Sequence, residues 1–414
     1  MTRGAPTLVV WLYGEPVGSL REVRSRQLSF QWSTEAVERW GEGAVVLSVT
    51  LPVRAAPFSV GMTRPFLEGL LPEGEARTGA ERAFGVPRGD VFGLLAAVGA
   101  ECAGAVQVLP EGRSPAESAT QGPALADADV AALLQDLPRH PLGVGEGVRL
   151  SLAGVQDKLL LTRQGGRWHR PGAGQPSTHI LKPQPRAFPD LVEAELFGLR
   201  FARAVGAEAA SARAATFGER RVLVVERYDR VVERYDRVVR DGRVRRVHQE
   251  DFCQAGGRAP EQKYEADGGP GWRDVAGILR RVAHDPRRDL LELVRAVAIT
   301  VLVGNADAHA RNLSLLLGPE GHRLGPLYDV VPTLHVQQAA GSPPLDTRMA
   351  MAVNGVWEIG AVTQDDVLAE VVRWPVPRSA AERVLGEVQL RGATFTAGQE
   401  GRVARAVLDR LTVW

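Results

Sequence analysis

The chain has 414 residues, 44% hydrophobic and 24% charged, with 50 Lys+Arg against 49 Asp+Glu and a net charge of +1. At about 150 residues per domain this makes two or three domains with room for a sizeable core. The balanced charge gives no global basic excess for nucleic acid or an anionic membrane. Cys102 and Cys253 are too few for a disulfide framework or a Cys-based zinc site. No apolar run approaches the roughly 20 residues of a spanning helix. Leu8–Tyr13 lacks the length and cleavage site of a signal peptide, so a soluble cytosolic protein is expected. Three of the 50 cations are lysines, Lys158, Lys182 and Lys263, and in so Arg-rich a chain each merits inspection.

Leu8–Tyr13, Glu15–Leu20 and Ala44–Leu51 read as short strands with Gly- and Pro-marked turns. Arg64–Leu71 and the stretch 76–84 read as helical, with Pro65 near a helix start. Residues 1–110 are thus expected to form a small α+β domain without a titratable cluster that suggests chemistry. Pro, Gly, Ser and Glu dominate the next stretch, so 111–146 is expected to be a linker region holding one helix, Asp127–Leu137.

Residues 147–414 form the expected catalytic domain, with a nucleotide lobe over about 147–255 and a mostly helical lobe over about 256–414. Its reading starts with a hairpin over 149–162, a strand over Ser177–Lys182 stopped by Pro183, and an amphipathic helix over Asp190–Val205. A strand follows at Arg221–Val225. The heptapeptide Val224-Val-Glu-Arg-Tyr-Asp-Arg230 is then repeated without change as residues 231–237, too short for a solenoid unit and read as a lengthened surface loop. Leu290–Val303 is the clearest buried helix.

Chemistry concentrates in Gly304-Asn-Ala-Asp307-Ala-His309-Ala-Arg-Asn312 and Pro326-Leu-Tyr-Asp329. Lys182 at a strand end, Glu195 (or Glu193) on the next helix, Asp307, Asn312 five residues later and then Asp329 follow protein-kinase order. Phosphoryl transfer needs positioning and charge neutralisation more than covalent chemistry. Lys182 would hold the α/β-phosphates and Glu195 would orient its ammonium. Asp307 would take the proton of the attacking hydroxyl, and Asn312 and Asp329 offer hard oxygens to Mg²⁺. The glycine loop and any Walker-A pattern are missing; the hairpin has one glycine, Gly154. The residues alone therefore point to a kinase-like phosphotransferase.

The chain resembles the HipA-like serine/threonine kinases, toxins of bacterial toxin–antitoxin pairs, over nearly its whole length. The resemblance rests on Phe66–Pro72, Gly99-Ala-Glu-Cys-Ala-Gly104, Ser151–Lys158, Thr178–Lys182, Gln249–Gln254, Lys263–Gly271 and Asp307–Asn312. It implies an α+β, bilobal protein-kinase-like fold with an extra small N-terminal domain. Leu152, Ala153, Gly154, Val155, Gln156, Asp157 and Lys158 would form the nucleotide loop. The backbone of Glu250, Asp251 and Phe252 would be the adenine hinge, with His309, Ala310, Arg311 and Tyr328 also near ATP. Ser151 would be an autophosphorylation site. The implied partners are a HipB-like helix-turn-helix antitoxin, DNA only through it, and a protein substrate such as an aminoacyl-tRNA synthetase. The repeat departs from the family, where one copy precedes the hinge.

Two readings compete with this one. A degenerate kinase fold could serve only as a binding module in a repressor complex, and a small-molecule kinase shares the Asp-x-x-x-x-Asn logic without accounting for the N-terminal unit. His309 could tune Asp307, although a backbone-bonding structural role is favoured. Cys102 and Cys253 are expected to be buried small hydrophobes. Gly268–Gly271 is a turn that could shape the nucleotide or substrate cleft, and Lys263 a solvated loop lysine.

Overall fold

The computed structural model describes residues 7–24, 27–115, 122–137, 157–172, 175–235, 238–319, 321–341 and 345–414, with the side chains of 24 and 231–243 excepted. Ser151–Gln156, which contains the expected autophosphorylation site and most of the expected nucleotide loop, lies outside these residues. The chain divides into two compact units, residues 1–183, 216–220 and 224–250, and residues 184–215, 221–223 and 251–414. Among the described residues no helix is long and apolar enough to cross a membrane.

The first unit opens with an antiparallel sheet in the order Gln27–Trp32, Glu15–Arg24, Thr7–Leu12, Val106–Pro110. Tyr13 (φ 54°) and Gly14 (φ 84°) form the two-residue turn opposite the pair Leu12–Glu15, with both φ values positive as a type I′ hairpin requires. Leu8, Val10 and Leu12 alternate into a core with Phe30, Phe58 and Phe66. The strand Gln27–Trp32, which the sequence reading passes over, replaces the expected strand Ala44–Leu51. In that segment Ser48 accepts from the Thr50 N–H (3.2 Å), and the Val49 N–H donates to the Glu250 carboxylate (2.8 Å). Side chains thus take the backbone groups that a ladder would need. Pro65 lies inside the helix Val60–Gly69 rather than near its start.

The second sheet has the order Ala124–Leu125, Arg167–His169, Leu159–Gln164, His179–Pro183, Arg220–Glu226, Ala212–Phe217. The first repeat copy supplies the end of Arg220–Glu226, with Val224 and Val225 buried. The second copy runs into a separate two-stranded hairpin, Arg230–Tyr235 against Val238–Arg246. The first copy therefore occupies the sheet strand, because the buried Val222 and Leu223 precede it, where a seven-residue slip would put Asp229 and Arg230. Arg227 reaches Glu101 (3.1 Å) and Asp229 (2.8 Å), and Arg230 reaches the same two carboxylates (3.0 and 2.9 Å). Arg246 also pairs with Glu101. The Ser177 N–H donates to Glu101 (3.0 Å) and the Gly104 N–H to Asp229 (2.8 Å).

These side chains are buried, and Glu101 is the N-terminal domain's member of a structural cluster whose other charged groups come from residues 227–246. Burial alone would raise the Glu101 carboxyl, but Arg230, Arg246 and Arg227 outweigh it and hold it low. Asp229 likewise sits below the carboxylate range because Arg227 and Arg230 overcome its burial. Among crowded cations, and chiefly through burial, Arg230 drops to about 10. The Gly99–Gly104 motif is thereby explained. It delivers Glu101, while a Cβ on Gly104 (φ 71°) would lie 2.8 Å from the Gln249 nitrogen and one on Gly99 2.5 Å from the Leu95 carbonyl. Cys102 and Cys253 are buried, and burial pushes the Cys102 thiol up to about 12.

The second unit is mostly helical. Leu191–Ala204, Trp272–Val282, Pro286–Val303, Gln364–Val371, Arg378–Ala397 and Arg402–Thr412 accompany the hairpins Ser314–Gly318/Gly321–Leu324 and Arg348–Val353/Val356–Glu358. Phe197, Phe201 and Phe395 pack ring on ring at 5.7 to 6.2 Å, joining Leu191–Ala204 to Arg378–Ala397. Gly198 lets the first of these helices approach the segment after Tyr328, since a Cβ there would sit 1.9 Å from the Val330 carbonyl oxygen.

Two outcomes are expected. Deleting either repeat copy gives the same protein, in which Arg230 runs directly into Val-Val-Arg-Asp-Gly. The pairing of Arg230 with Arg246 is then kept, Val238 and Val239 take the places of Val231 and Val232 opposite Arg245 and Val244, and Asp241-Gly242 makes a two-residue turn. Its thermal midpoint should stay within about 2 °C of the parent by calorimetry. Glu101→Gln should instead lose about 3 kcal/mol in urea unfolding, because it strands buried guanidinium groups.

Candidate active site

The site is built where the helix Pro286–Val303 stops. Gly304 takes the left-handed conformation (φ 73°), and a Cβ there would lie 2.9 Å from that of Leu334. The next residue, Asn305, is buried and donates from Nδ2 to the Asp329 carbonyl (3.2 Å). The Ala306 N–H donates to Thr333 Oγ1 (2.8 Å). The Asp307 carbonyl accepts from the His309 N–H (2.9 Å) and from Asn312 Nδ2 (3.0 Å), which closes the loop on itself. Tyr328 donates to the Arg311 carbonyl (2.6 Å), and Asp329 is held at φ 51°, a conformation Asp tolerates better than most residues. Asp307 and Asn312, five residues apart, are thus tied to the segment that carries Asp329. The Asp307 carboxylate is exposed, and its Oδ1 accepts from the Tyr264 hydroxyl (3.0 Å).

Arg311 turns inward, and its Nε donates to Asp251 Oδ2 (2.9 Å). Asp251 Oδ1 in turn caps the short helix Phe252–Ala255 through the Gln254 N–H (2.8 Å). The Phe252 N–H, an expected adenine contact, is directed at the Leu313 carbonyl at 3.3 Å. Glu250, in the first unit, gives its carboxylate to Ser48 Oγ (2.6 Å) and the Val49 N–H. Ala310 is buried in the loop's single 3₁₀ turn. Glu195 is buried on Leu191–Ala204, whereas Glu193 is exposed and pairs with Arg221 (2.9 Å), so the structure separates these two alternatives. Lys158 and Lys182 belong to the first unit, buried at the start of Leu159–Gln164 and within His179–Pro183. Asp157 beside them has its carboxyl raised by burial, with Glu75 adding to the effect.

Burial lowers His309 to about 3, with Lys263 and Arg311 reinforcing the shift against Asp329. The imidazole is therefore neutral at physiological pH and brings no positive charge to Asp307. It packs edge-on against Tyr264 (5.5 Å, 77°), and its Nδ1 is buried without a hydrogen-bond partner among the described residues. Lys263 is not simply solvated: it is half-buried, with Nζ 5.3 Å from the Tyr264 ring centroid. Tyr264, Asn305 and Thr333 are site residues that the sequence reading missed. Asn305 follows a helix-ending Gly, which is a usable signal; the other two carry none.

The donor set suits the ligands of a kinase. Asn312 and Asp329 offer hard oxygens, and two protein oxygens are enough for a magnesium ion otherwise completed by phosphate and water. The orphaned His309 Nδ1 fits a polar group of a nucleotide.

The family profile of the HipA N-terminal domain matches residues 8–109, and that of the HipA-like C-terminal domain residues 150–393. The Sinorhizobium fredii protein Y4mE is 41% identical over 353 residues, 84% of this chain and 80% of its own. The serine/threonine-protein kinase toxin HipA of Shewanella oneidensis is 32% identical over 304 residues, 70% of this chain and 68% of its own. A solved Shewanella oneidensis HipA, in complex with HipB and its operator DNA, superposes with a TM-score of 0.82 at 24% identity, covering 98% of this chain and 96% of that one. It shares the fold, in keeping with the expected α+β class.

The His309 shift has a definite sign. The unfolded ring takes its proton near 6.5 and the native ring only near 3, so its stabilising contribution is full above 6.5 and drains as pH falls towards 3. Its Cε1 proton resonance should not titrate between pH 5 and 8 by NMR, and a midpoint near 6.5 would contradict the burial argument.

Proposed function

The chain belongs to the HipA-like kinase family, and from that premise we propose that it is an ATP- and magnesium-dependent protein serine/threonine kinase acting as the toxin of a toxin–antitoxin pair. One observation carries the reading: a single interlocked turn presents an exposed Asp307 carboxylate beside Asn312 and Asp329.

In this reading Asp307 accepts the proton of an attacking serine or threonine hydroxyl at its exposed carboxylate. Asn312 and Asp329 would hold magnesium. The Asn312 amide nitrogen is engaged by the Asp307 carbonyl, which leaves its oxygen as the ligand atom. When bound, the ion neutralises charge on the phosphates. Lys182 binds the α/β-phosphates and Glu195 orients it. Asp157 and Lys158 end the nucleotide loop that begins with Leu152, and Glu250–Phe252 and Tyr328 line the base side. Arg311 acts structurally, its guanidinium being taken by Asp251. Asp251 is thus committed to two internal partners, and its contribution to nucleotide binding is through the backbone.

We extend the proposal to partners and regulation. The Shewanella oneidensis complex supports a HipB-like antitoxin through which DNA is reached. The substrate would be a translation-related protein of the aminoacyl-tRNA synthetase class, arresting growth, with autophosphorylation on Ser151 as the off-switch and the cytoplasm as the setting.

The test is phosphate transfer from radiolabelled ATP in the presence of magnesium. Wild-type protein should label itself at Ser151, located by mass spectrometry. Asp307→Ala should reduce transfer by at least about a thousandfold, the order expected when a general base is lost together with its hold on the acceptor. Undiminished labelling in that variant would remove the assignment.

A further inference from the structure

We propose that Tyr264 is a positioning residue that holds the Asp307 carboxylate in the orientation a general base needs. The inference rests on the kinase reading above and assigns a role that the motif order does not contain.

The backbone contacts of the loop fix the Asp307 Cα but not its side chain. Asp307 is exposed, and an exposed carboxylate on a short side chain visits several staggered rotamers. The Tyr264 hydroxyl, 3.0 Å from Oδ1, ties down that oxygen and so sets the direction of the carboxylate. Near-attack geometry of this kind is where small displacements cost rate.

A tether is useful only if it is itself fixed, and Tyr264 is fixed on every side the structure describes. Its ring meets the neutral His309 edge-on, and Lys263 lies over it. Its carbonyl accepts from the Asp267 and Gly269 N–H groups, both at 3.0 Å. This pinched turn explains Gly268-Gly-Pro-Gly271. Gly268 has φ 83°, a Cβ on Gly269 would lie 2.0 Å from the Gln262 carbonyl oxygen, and one on Gly271 would lie 2.7 Å from the Glu265 carboxylate. That carboxylate accepts the Ala352 N–H (2.7 Å), while the Ala350 N–H donates to the Ala306 carbonyl (2.8 Å). One strand, Arg348–Val353, therefore ties the Tyr264 turn to the residue immediately before Asp307. The glycine-rich turn is a mount for Tyr264.

Tyr264→Phe deletes the hydroxyl and keeps the ring against His309. Measured on the full-length protein with ATP and magnesium, it should lower kcat about tenfold, with KM for ATP and the thermal midpoint unchanged. Replacing Tyr264 by p-aminophenylalanine, which restores a donor on the same ring, should recover most of the rate. Wild-type kcat in the Phe variant would overturn the inference, as would a fall in kcat matched by a rise in KM or a lower midpoint, or failure of the amino ring to restore rate. In each case Asp307→Ala still reports separately on the kinase reading. A wild-type protein with no transfer would overturn both.

Discussion

Everything at the candidate site depends on how one helix ends. Pro286–Val303 is buried along most of its last turns, so its direction is set by the core and not by the loop that follows. Gly304 is the residue that can both turn left-handed and sit against Leu334 without a side chain. Once it has turned, Asn305 is forced inward, where its amide nitrogen would be costly to leave unsatisfied, and the Asp329 carbonyl accepts from it. That bond, with those of Thr333 to the Ala306 N–H and Gly304 carbonyl, links two sequence segments and fixes their relation. The rest of the loop is local closure: a 3₁₀ turn, the Asn312 amide returning to Asp307, and Tyr328 at the Arg311 carbonyl.

The parts of this arrangement that were legible in the sequence are those encoded by short spacing. Asp307 and Asn312 close one turn, so their separation carries the geometry; Lys182 and Glu195 sit on adjacent elements, and chain order suggests them. Tyr264 is different. Its hydroxyl reaches Asp307 across 43 residues, by way of a turn whose shape depends on a third segment, Arg348–Val353. Nothing in a single sequence ties those three stretches together. Ala44–Leu51 failed for a related reason. Its apolar content is real and Leu47 and Leu51 are buried, but a carboxylate about 200 residues away takes the N–H that strand pairing would have used.

The repeat is a different case. Two identical heptapeptides have identical propensities, so nothing inside the repeat can choose between them. The choice is made by the residues ahead of the repeat: Val222 and Leu223 are buried in the strand Arg220–Glu226, where a seven-residue slip would put Asp229 and Arg230. The buried network around Glu101 is weak evidence for net stability, since desolvation opposes each pair. It is better evidence for register: a carboxylate surrounded by three guanidinium groups accepts one alignment of the strand and rejects a slip of one or two residues. The Gly99–Gly104 motif then makes sense as the partner surface for that alignment.

The three lysines complete the argument about charge. In a chain that uses arginine almost everywhere, Lys158 and Lys182 are buried in the first unit, within or beside the strands Leu159–Gln164 and His179–Pro183, and Lys263 stands beside Tyr264 and His309. A guanidinium is planar and prefers a fork of acceptors, as Arg311 finds at Asp251 and Arg227 at Asp229. An ammonium is a compact charge that can meet a single oxygen from any direction. Where the structure needs a fixed planar pair it uses arginine. Lysine is kept at segments that, on the proposed reading, must meet a phosphate or lie against an aromatic ring while substrate comes and goes. That division of labour follows from the shape of the two cations, and it makes the rarity of lysine in this chain informative about where its chemistry lies.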